Sequence, residues 1–243
     1  MDPGGRRPVR IAHAHGNRRH TIDEALAADI DFMEADLWFR AGHIEVRHER
    51  RLGFLPVLYD GKPPGVRRFG PWAITIFPGY YIRLDVNPLP LRELLDRARG
   101  RVRLLLDLKG RYSEHDAGAY ARTLARTLAE ADAEGSAIVC GQTDALDHVR
   151  DVAPHLDVRY SMEREEQWQA FKRRLESGPP IAGVCIHRRF FLRDGVAEFL
   201  AENSLQAFCW TVDDPAEARA LVERGAAGII SNRLPLLEAL GEG

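Results

Sequence analysis

No stretch of this chain approaches the ~18 consecutive apolar residues that span a bilayer, so no stable membrane insertion is expected. Residues 1–8 lack the apolar segment of a secretory signal. Cysteine is scarce. Cys140, Cys185 and Cys209 are odd in number, show no C-x-x-C spacing, and each lies in an apolar, strand-like run. Free buried thiols in a reducing compartment follow from this, and a cytoplasmic location is expected. An excess of charge of one sign is also missing. The formal net charge is −2, which excludes a general attraction to nucleic acid or to a membrane surface. Local pairs such as Arg18-Arg19 and Arg67-Arg68 can still attract a phosphate. No G-x-G-x-x-G follows the first strand and no G-x-x-x-x-G-K-[ST] occurs, so the nucleotide-binding α/β folds lack their motif.

What is present is a rhythm. The 243 residues, 45% hydrophobic and 29% charged, suit a single domain, residues 1–243, with a substantial core. Apolar strand-like runs fall at 9–14, 30–39, 102–108, 137–140, 158–161, 181–187, 205–212 and 228–231. Helical patterns stand between them, at 21–28, 91–99, 117–130, 145–152, 165–175, 195–202, 215–224 and 234–240. Thr21 and Glu24 have capping-box spacing. Pro215 suits a first helical turn and Gly225 a C-terminal cap. Repeated βα units imply a parallel sheet, and eight in this length favour a closed (β/α)8 TIM barrel over an open sheet. Residues 43–48 read as an extension of the second strand after a turn at Ala41-Gly42. Residues 50–90 break the rhythm with seven prolines and several aromatics, Trp72, Phe77, Tyr80 and Tyr81 among them. They are expected to form an inserted lid or substrate-contacting subdomain with short strands.

Glu34 and Asp36 sit at i and i+2 in an apolar run. In a strand they share one face. Two like charges there ask for a cation or a shared proton if buried; a solvated edge strand is the plainer alternative. In a barrel, reactive groups gather at the C-terminal strand ends, where His13, Glu34, Asp36, His48, Asp107, Lys109, Trp210 and Asp213 are all expected. Three carboxylates, Glu34, Asp36 and Asp107, make an all-oxygen site suited to Mg2+ or Ca2+. Two histidines can serve as acid and base, and Lys109 adds a cation for an anionic substrate. Together these describe phosphate-ester cleavage.

The ordered pieces resemble the glycerophosphodiester phosphodiesterases, members of the phosphatidylinositol-phospholipase-C-like barrel superfamily. They are Ile11-Ala12-His13, Glu34-x-Asp36, Gly42-x-Ile44-x-Val46-x-His48, Leu89-Pro90-Leu91-x-Glu93-Leu94-Leu95, Leu106-Asp107-Leu108-Lys109, Trp210-Thr211-Val212-Asp213-Asp214-Pro215, and Gly228 through Arg233. The resemblance implies a TIM barrel, a divalent cation on Glu34, Asp36 and Asp107, and an acid/base pair in His13 and His48. It also implies a phosphate contact at Lys109 and a pocket wall at Trp210, with Asp213 beside it on the substrate side. The implied substrate is a small glycerophosphodiester or a lysophospholipid-like diester, with no nucleic-acid partner.

The chain departs from the family at four places. His-Arg-Gly is replaced by His13-Ala14-His15-Gly16, and Glu-Asn-Thr by Arg19-His20-Thr21. His48 is followed by Glu49, and the third ligand is Asp107. Strand alternation would place His15 on the face of His13, as a second functional histidine or a substrate contact. Asp107-Leu108-Lys109 is similar to the sphingomyelinase D-like phospholipases D, which leave a cyclic phosphate. A barrel that binds a phosphate ligand without turnover is the remaining alternative.

Overall fold

The computed structural model describes residues 7–52, 57–61, 73–77, 80–83, 87–141, 144–176 and 180–241. Strand β1 (Val9–Ala12) leads through a 3-10 turn at His15–Asn17 into α1 (Arg19–Ala27). Next come β2 (Phe32–Arg40) and β3 (His43–Val46), then β4 (Arg50–Arg51), β5 (Leu58–Gly61), β6 (Ala73–Phe77), β7 (Tyr80–Arg83) and β8 (Leu89–Pro90). The βα alternation then resumes with α2 (Leu91–Ala98), β9 (Arg103–Lys109), α3 (Glu114–Glu130), β10 (Ala137–Gly141), α4 (Asp144–Val152), β11 (Asp157–Met162) and α5 (Glu165–Leu175). It closes with β12 (Gly183–His187), α6 (Arg188–Phe191), α7 (Val196–Glu202), β13 (Gln206–Trp210), α8 (Pro215–Glu223), β14 (Gly228–Ser231) and α9 (Leu234–Ala239).

The strand order β1-β14-β13-β12-β11-β10-β9-β2, with β2 pairing back to β1, closes an eight-stranded parallel barrel. The expected (β/α)8 TIM barrel is therefore the observed fold. Its strands are buried on both faces, as parallel strands between a packed interior and a shell of helices must be; β10 and β14 have no exposed residue. Inward residues Ile11, Phe32, Leu105, Ile138, Cys140, Cys185, Phe208 and Ile230 form one apolar plug. Their neighbours Met33, Ala35, Leu104, Leu106, Val139 and Val184 face the helices in a second, larger core. Alternation thus puts Glu34, Asp36 and Asp107 on the inward face, Glu34 above Phe32 and level with Leu105, and Asp36 and Asp107 one layer higher.

The lower end is closed by aromatic rings under guanidinium groups. Phe32 and Phe208 meet at 6.3 Å. Arg103 lies 4.3 Å over the first ring and Arg159 3.9 Å over the second. Arg10, fully buried, is held by Asp29 and Asp31. Arg159 is also held by Asp157 and Gln206, and Arg103 reaches solvent.

Two sequence expectations are corrected in detail. α1 starts at Arg19, so Thr21 lies inside its first turn. The Thr21 hydroxyl donates to the carbonyls of His15 and Arg18, and no capping box with Glu24 forms. A short helix, α6, was not visible in the pattern of residues 188–191. Pro215 and Gly225 behave as expected, the first at the opening turn of α8 and the second just past its end with φ 103°.

The region 50–90 contains a separate antiparallel sheet in the order β4-β5-β7-β6. Ala41 and Gly42, both at positive φ, turn β2 back into β3. β3 then pairs with β8, Val46 opposite Leu89, so the chain leaves and re-enters the barrel at neighbouring points. Tyr80 is exposed and Tyr81 half-buried. Trp72 and the side chain of Phe77 lie outside the described residues.

Gly183 sits where a Cβ would come 2.1 Å from the backbone oxygen of Gln206 on the adjacent strand. Gly183→Ala is expected to destabilise the barrel by about 1–3 kcal/mol. A denaturant midpoint equal to that of the wild type would show that β12 and β13 can separate without loss.

Candidate functional site

β2 and β9 run in register, with Asp36 opposite Asp107 and Trp38 opposite Lys109. Neighbouring parallel strands lie about 4.8 Å apart, so this register alone brings two carboxylates together. Glu34, one inward position below Asp36, completes a group in which one oxygen from each of the three lies within 4.8 Å of the others. Glu34 and Asp36 are almost fully buried.

The Lys109 ammonium stands among them, 2.9 Å from Asp36 Oδ1 and in direct contact with Asp107. Burial alone would lower the Lys109 pKa, but Asp107, Asp36 and Glu34 reverse this and hold it well above its ordinary value. Burial and the neighbouring Asp36 push Glu34 well above the usual carboxylate range. Burial also raises Asp107. For Asp36, burial acts upward, but Lys109 and His48 outweigh it and the net shift is downward. With all three carboxylates ionised, the one ammonium leaves two negative charges uncompensated. A divalent cation balances that charge, and the all-oxygen donor set fits a hard one.

The turn after β1 buttresses this group. Ala14 adopts a left-handed conformation (φ 58°), and its N–H donates to Glu34 Oε2. Gly16 packs so closely on β2 that a Cβ would meet the Ala35 Cβ at 2.6 Å. That approach delivers the buried Asn17. Its Nδ2 donates to Asp36 Oδ2 at 2.6 Å, and its Oδ1 accepts from the Asp36 N–H at 2.8 Å. Asn17 was not identified from sequence. The only signal was a glycine followed by a carboxamide directly after the histidine turn.

His13 stands on the rim beside the carboxylates. Its Nδ1 is 2.8 Å from Asn232 Oδ1. The orientation of Asn232 is settled by Asp213, whose Oδ2 accepts from Asn232 Nδ2 at 2.7 Å and whose Oδ1 accepts from the Asn232 N–H at 2.8 Å. Asn232 therefore presents an acceptor to the imidazole, the proton sits on Nδ1, and Nε2 keeps its lone pair. Burial lowers the His13 pKa despite the opposing pull of Asn232 and Asp36.

Asp213, expected on the substrate side, also accepts from Ser231 Oγ at 2.9 Å, so both of its oxygens are engaged within the protein. The expected alternation of His13 and His15 does not occur, because β1 ends at Ala12 and the chain turns at Ala14. His15 instead donates from Nδ1 to the His13 carbonyl at 2.8 Å. His48 is exposed just beyond β3, near enough to act on the charges of His13 and Asp36. Trp210, at the end of β13, meets His187 edge to face at 5.1 Å. A cavity of about 1140 Å3 opens here, lined by His13, Glu34, Asp107, Lys109 and Trp210, with Cys140 and Cys185 at its floor.

No family sequence model and no curated protein sequence matches the chain. Solved structures do. A glycerophosphodiester phosphodiesterase from Parabacteroides distasonis superposes with a TM-score of 0.71 at 16% identity, over 98% of this chain and 99% of that one. A phosphodiesterase from Oleispira antarctica, solved with the product sn-glycerol-3-phosphate, gives 0.69 at 15% identity over 97% of each chain. A glycerophosphodiester phosphodiesterase from Agrobacterium tumefaciens gives 0.65 at 17% identity, covering 95% and 99%. The chain has the fold of these phosphodiesterases.

Asn17→Ala removes both hydrogen bonds to Asp36 and leaves its buried N–H without a partner. The expected result is a stability loss of about 1–3 kcal/mol and a roughly 10–100-fold weaker affinity for Mg2+ or Mn2+ by calorimetric titration. Unchanged cation affinity would remove Asn17 from the support of the carboxylates.

Proposed function

We propose that this protein is a divalent-cation-dependent phosphodiesterase that cleaves glycerophosphodiesters into an alcohol and glycerol phosphate. The observation that carries the reading is the group of three buried carboxylates, Glu34, Asp36 and Asp107, beside Lys109 and a rim histidine of defined tautomer. It stands at the mouth of a barrel whose structural relatives include an enzyme holding sn-glycerol-3-phosphate. Glu34, Asp36 and Asp107 would hold the cation, Mg2+ or Ca2+. Once bound, it stabilises negative charge on the phosphoryl oxygens.

The chain's own groups supply the rest. Lys109, pinned by two carboxylates yet about one-third exposed, directs its ammonium at a non-bridging phosphate oxygen. His13 and His48 form the acid/base pair. One takes the proton of the attacking oxygen while the other protonates the leaving alcohol, so that the P–O bond to the alcohol breaks as the new P–O bond forms. The lowered His13 pKa keeps its Nε2 available as an acceptor near neutrality. Asn232 and Asp213 act through His13 as positioning residues, and His15 braces the same turn. Trp210 forms a wall of the pocket.

The sheet from Arg50 to Arg83, joined to the barrel directly after His48, is read as the substrate-contacting insertion of a single-domain protein. The partner is a small phosphodiester, without nucleic acid. The free buried thiols Cys140, Cys185 and Cys209 support a cytoplasmic setting.

³¹P NMR of glycerophosphocholine and lysophosphatidylcholine with the pure protein tests the reading. A new monoester signal is expected with Mg2+ or Ca2+ and none with EDTA. A cyclic phosphate would instead assign the nucleophile to a substrate hydroxyl. No change across a broad diester panel under any cation would leave the non-catalytic binder. His48→Ala is expected to retain cation binding and slow turnover by roughly 10²–10⁴-fold; wild-type rates would remove His48 from proton transfer. The acid limb of kcat/KM is expected below the ordinary imidazole value of about 6.5, since activity requires neutral His13 and burial lowers its pKa. An acid limb well above that value would assign the base elsewhere.

A further inference from the structure

We propose that the cavity accepts phosphodiesters whose leaving alcohol carries an anionic group of its own, above all a second phosphate. This rests on the phosphodiesterase reading and names the substrate class of the same site.

The first observation is size. At about 1140 Å3 the cavity exceeds the range of about 300–1,000 Å3 usual for small-molecule sites, so it extends well past the space a glycerol phosphate fills.

The second observation is which charges line the extra space. Arg111 follows Lys109 by two residues, Arg164 caps α5 beyond the end of β11, and Arg50 stands in β4. Three separate connections thus each place a guanidinium on one cavity. Elsewhere the arginines are largely engaged: Arg10 with Asp29 and Asp31, Arg19 with Glu93, Arg174 with Asp147, Arg188 with Glu217. Among the described residues Arg50 and Arg111 have no ion pair, and Arg164 has only a 3.9 Å contact with its exposed neighbour Glu163. Gln167 also lines this space. Its Oε1 is held by the N–H groups of Glu163 and Arg164 at 2.8 and 3.0 Å, which leaves its Nε2 as a further donor.

Charge balance decides what these groups are for. Lys109 and a divalent cation together neutralise the three carboxylates. Glu163, on the same lining, offsets one of the three guanidinium groups, and one diester phosphate brings a single negative charge against the two that remain. A second oxyanion matches the remainder, and planar guanidinium groups bind it with paired hydrogen bonds.

A quaternary ammonium headgroup fits poorly. It would need open aromatic faces, yet Arg47 covers the Trp38 ring at 4.8 Å. Tyr112 is packed against Phe39 and Tyr120. Among the described lining residues that leaves Trp210, which is too little for a cage.

The test compares glycerophosphoinositol phosphate with glycerophosphocholine, using the wild type and Arg111→Gln/Arg164→Gln. It also measures binding of free inositol phosphate by calorimetry without added metal. The wild type is expected to favour the anionic diester by about tenfold or more in kcat/KM. The double variant is expected to lose most of that ratio and to bind inositol phosphate at least about tenfold more weakly. Equal kcat/KM for the two diesters, or a preference for the choline ester, overturns the proposal while leaving the phosphodiesterase reading intact. If neither diester turns over, the phosphodiesterase reading itself fails, and inositol phosphate binding then decides. Binding that depends on the two arginines upholds the anionic subsite, and no binding refutes it.

Discussion

Everything at the barrel mouth depends on placing three carboxylates together, two of them almost fully buried. Like charges in a low-dielectric pocket repel strongly, and Asp36 and Asp107 are forced into opposition by the β2–β9 register. Lys109, on the same inward face as Asp107, offsets one charge and leaves an all-oxygen group with the spacing to hold a metal ion.

The surrounding structure makes that placement possible. Below the carboxylates the barrel is filled by Ile11, Phe32, Leu105, Ile138, Phe208 and Ile230, which exclude water from beneath and keep the site one-sided. Beside them, Gly16 lets the first turn approach β2 closely enough for Asn17 to bond Asp36 twice. On the outer side, Tyr120 donates to the Leu37 carbonyl at 2.7 Å and Tyr112 accepts from the Phe39 N–H at 2.9 Å. These bonds tie α3 and its preceding loop to the strand that carries Glu34 and Asp36. The segments after the last two strands contribute the Asp213–Asn232 pair that orients His13, so the first and the last two βα units meet at one imidazole. Barrel closure, the pairing of β1 with β14, is what brings residues 13 and 232 together.

Much of the fold was legible because its physics is local. An inward-facing strand in a parallel barrel needs apolar residues on both faces, and runs such as Leu104–Leu108 and Gly228–Ser231 announce that without help from distant residues. The i, i+2 spacings of Glu34/Asp36 and Asp107/Lys109 likewise state that each pair shares a face. Thr21 was misread because capping depends on where the helix begins, and here the buried approach of Gly16 and Asn17 moves the start to Arg19. His15 was placed with His13 by an alternation that the left-handed turn at Ala14 interrupts.

By itself, the sequence determined the barrel, the identity of its inward carboxylates and lysine, and the break in the βα alternation after His48. These follow from periodicity and from the cost of burying charge. Only the tertiary structure decided that Glu34, Asp36 and Asp107 share one point, that Asn17 and Asn232 hold Asp36 and His13, and that Asp213 turns inward to the protein. It also decided that Arg50, Arg111 and Arg164 face a common cavity. Such contacts join residues as far apart as 13 and 232. Their geometry is set by strand register and barrel closure, which no local pattern encodes.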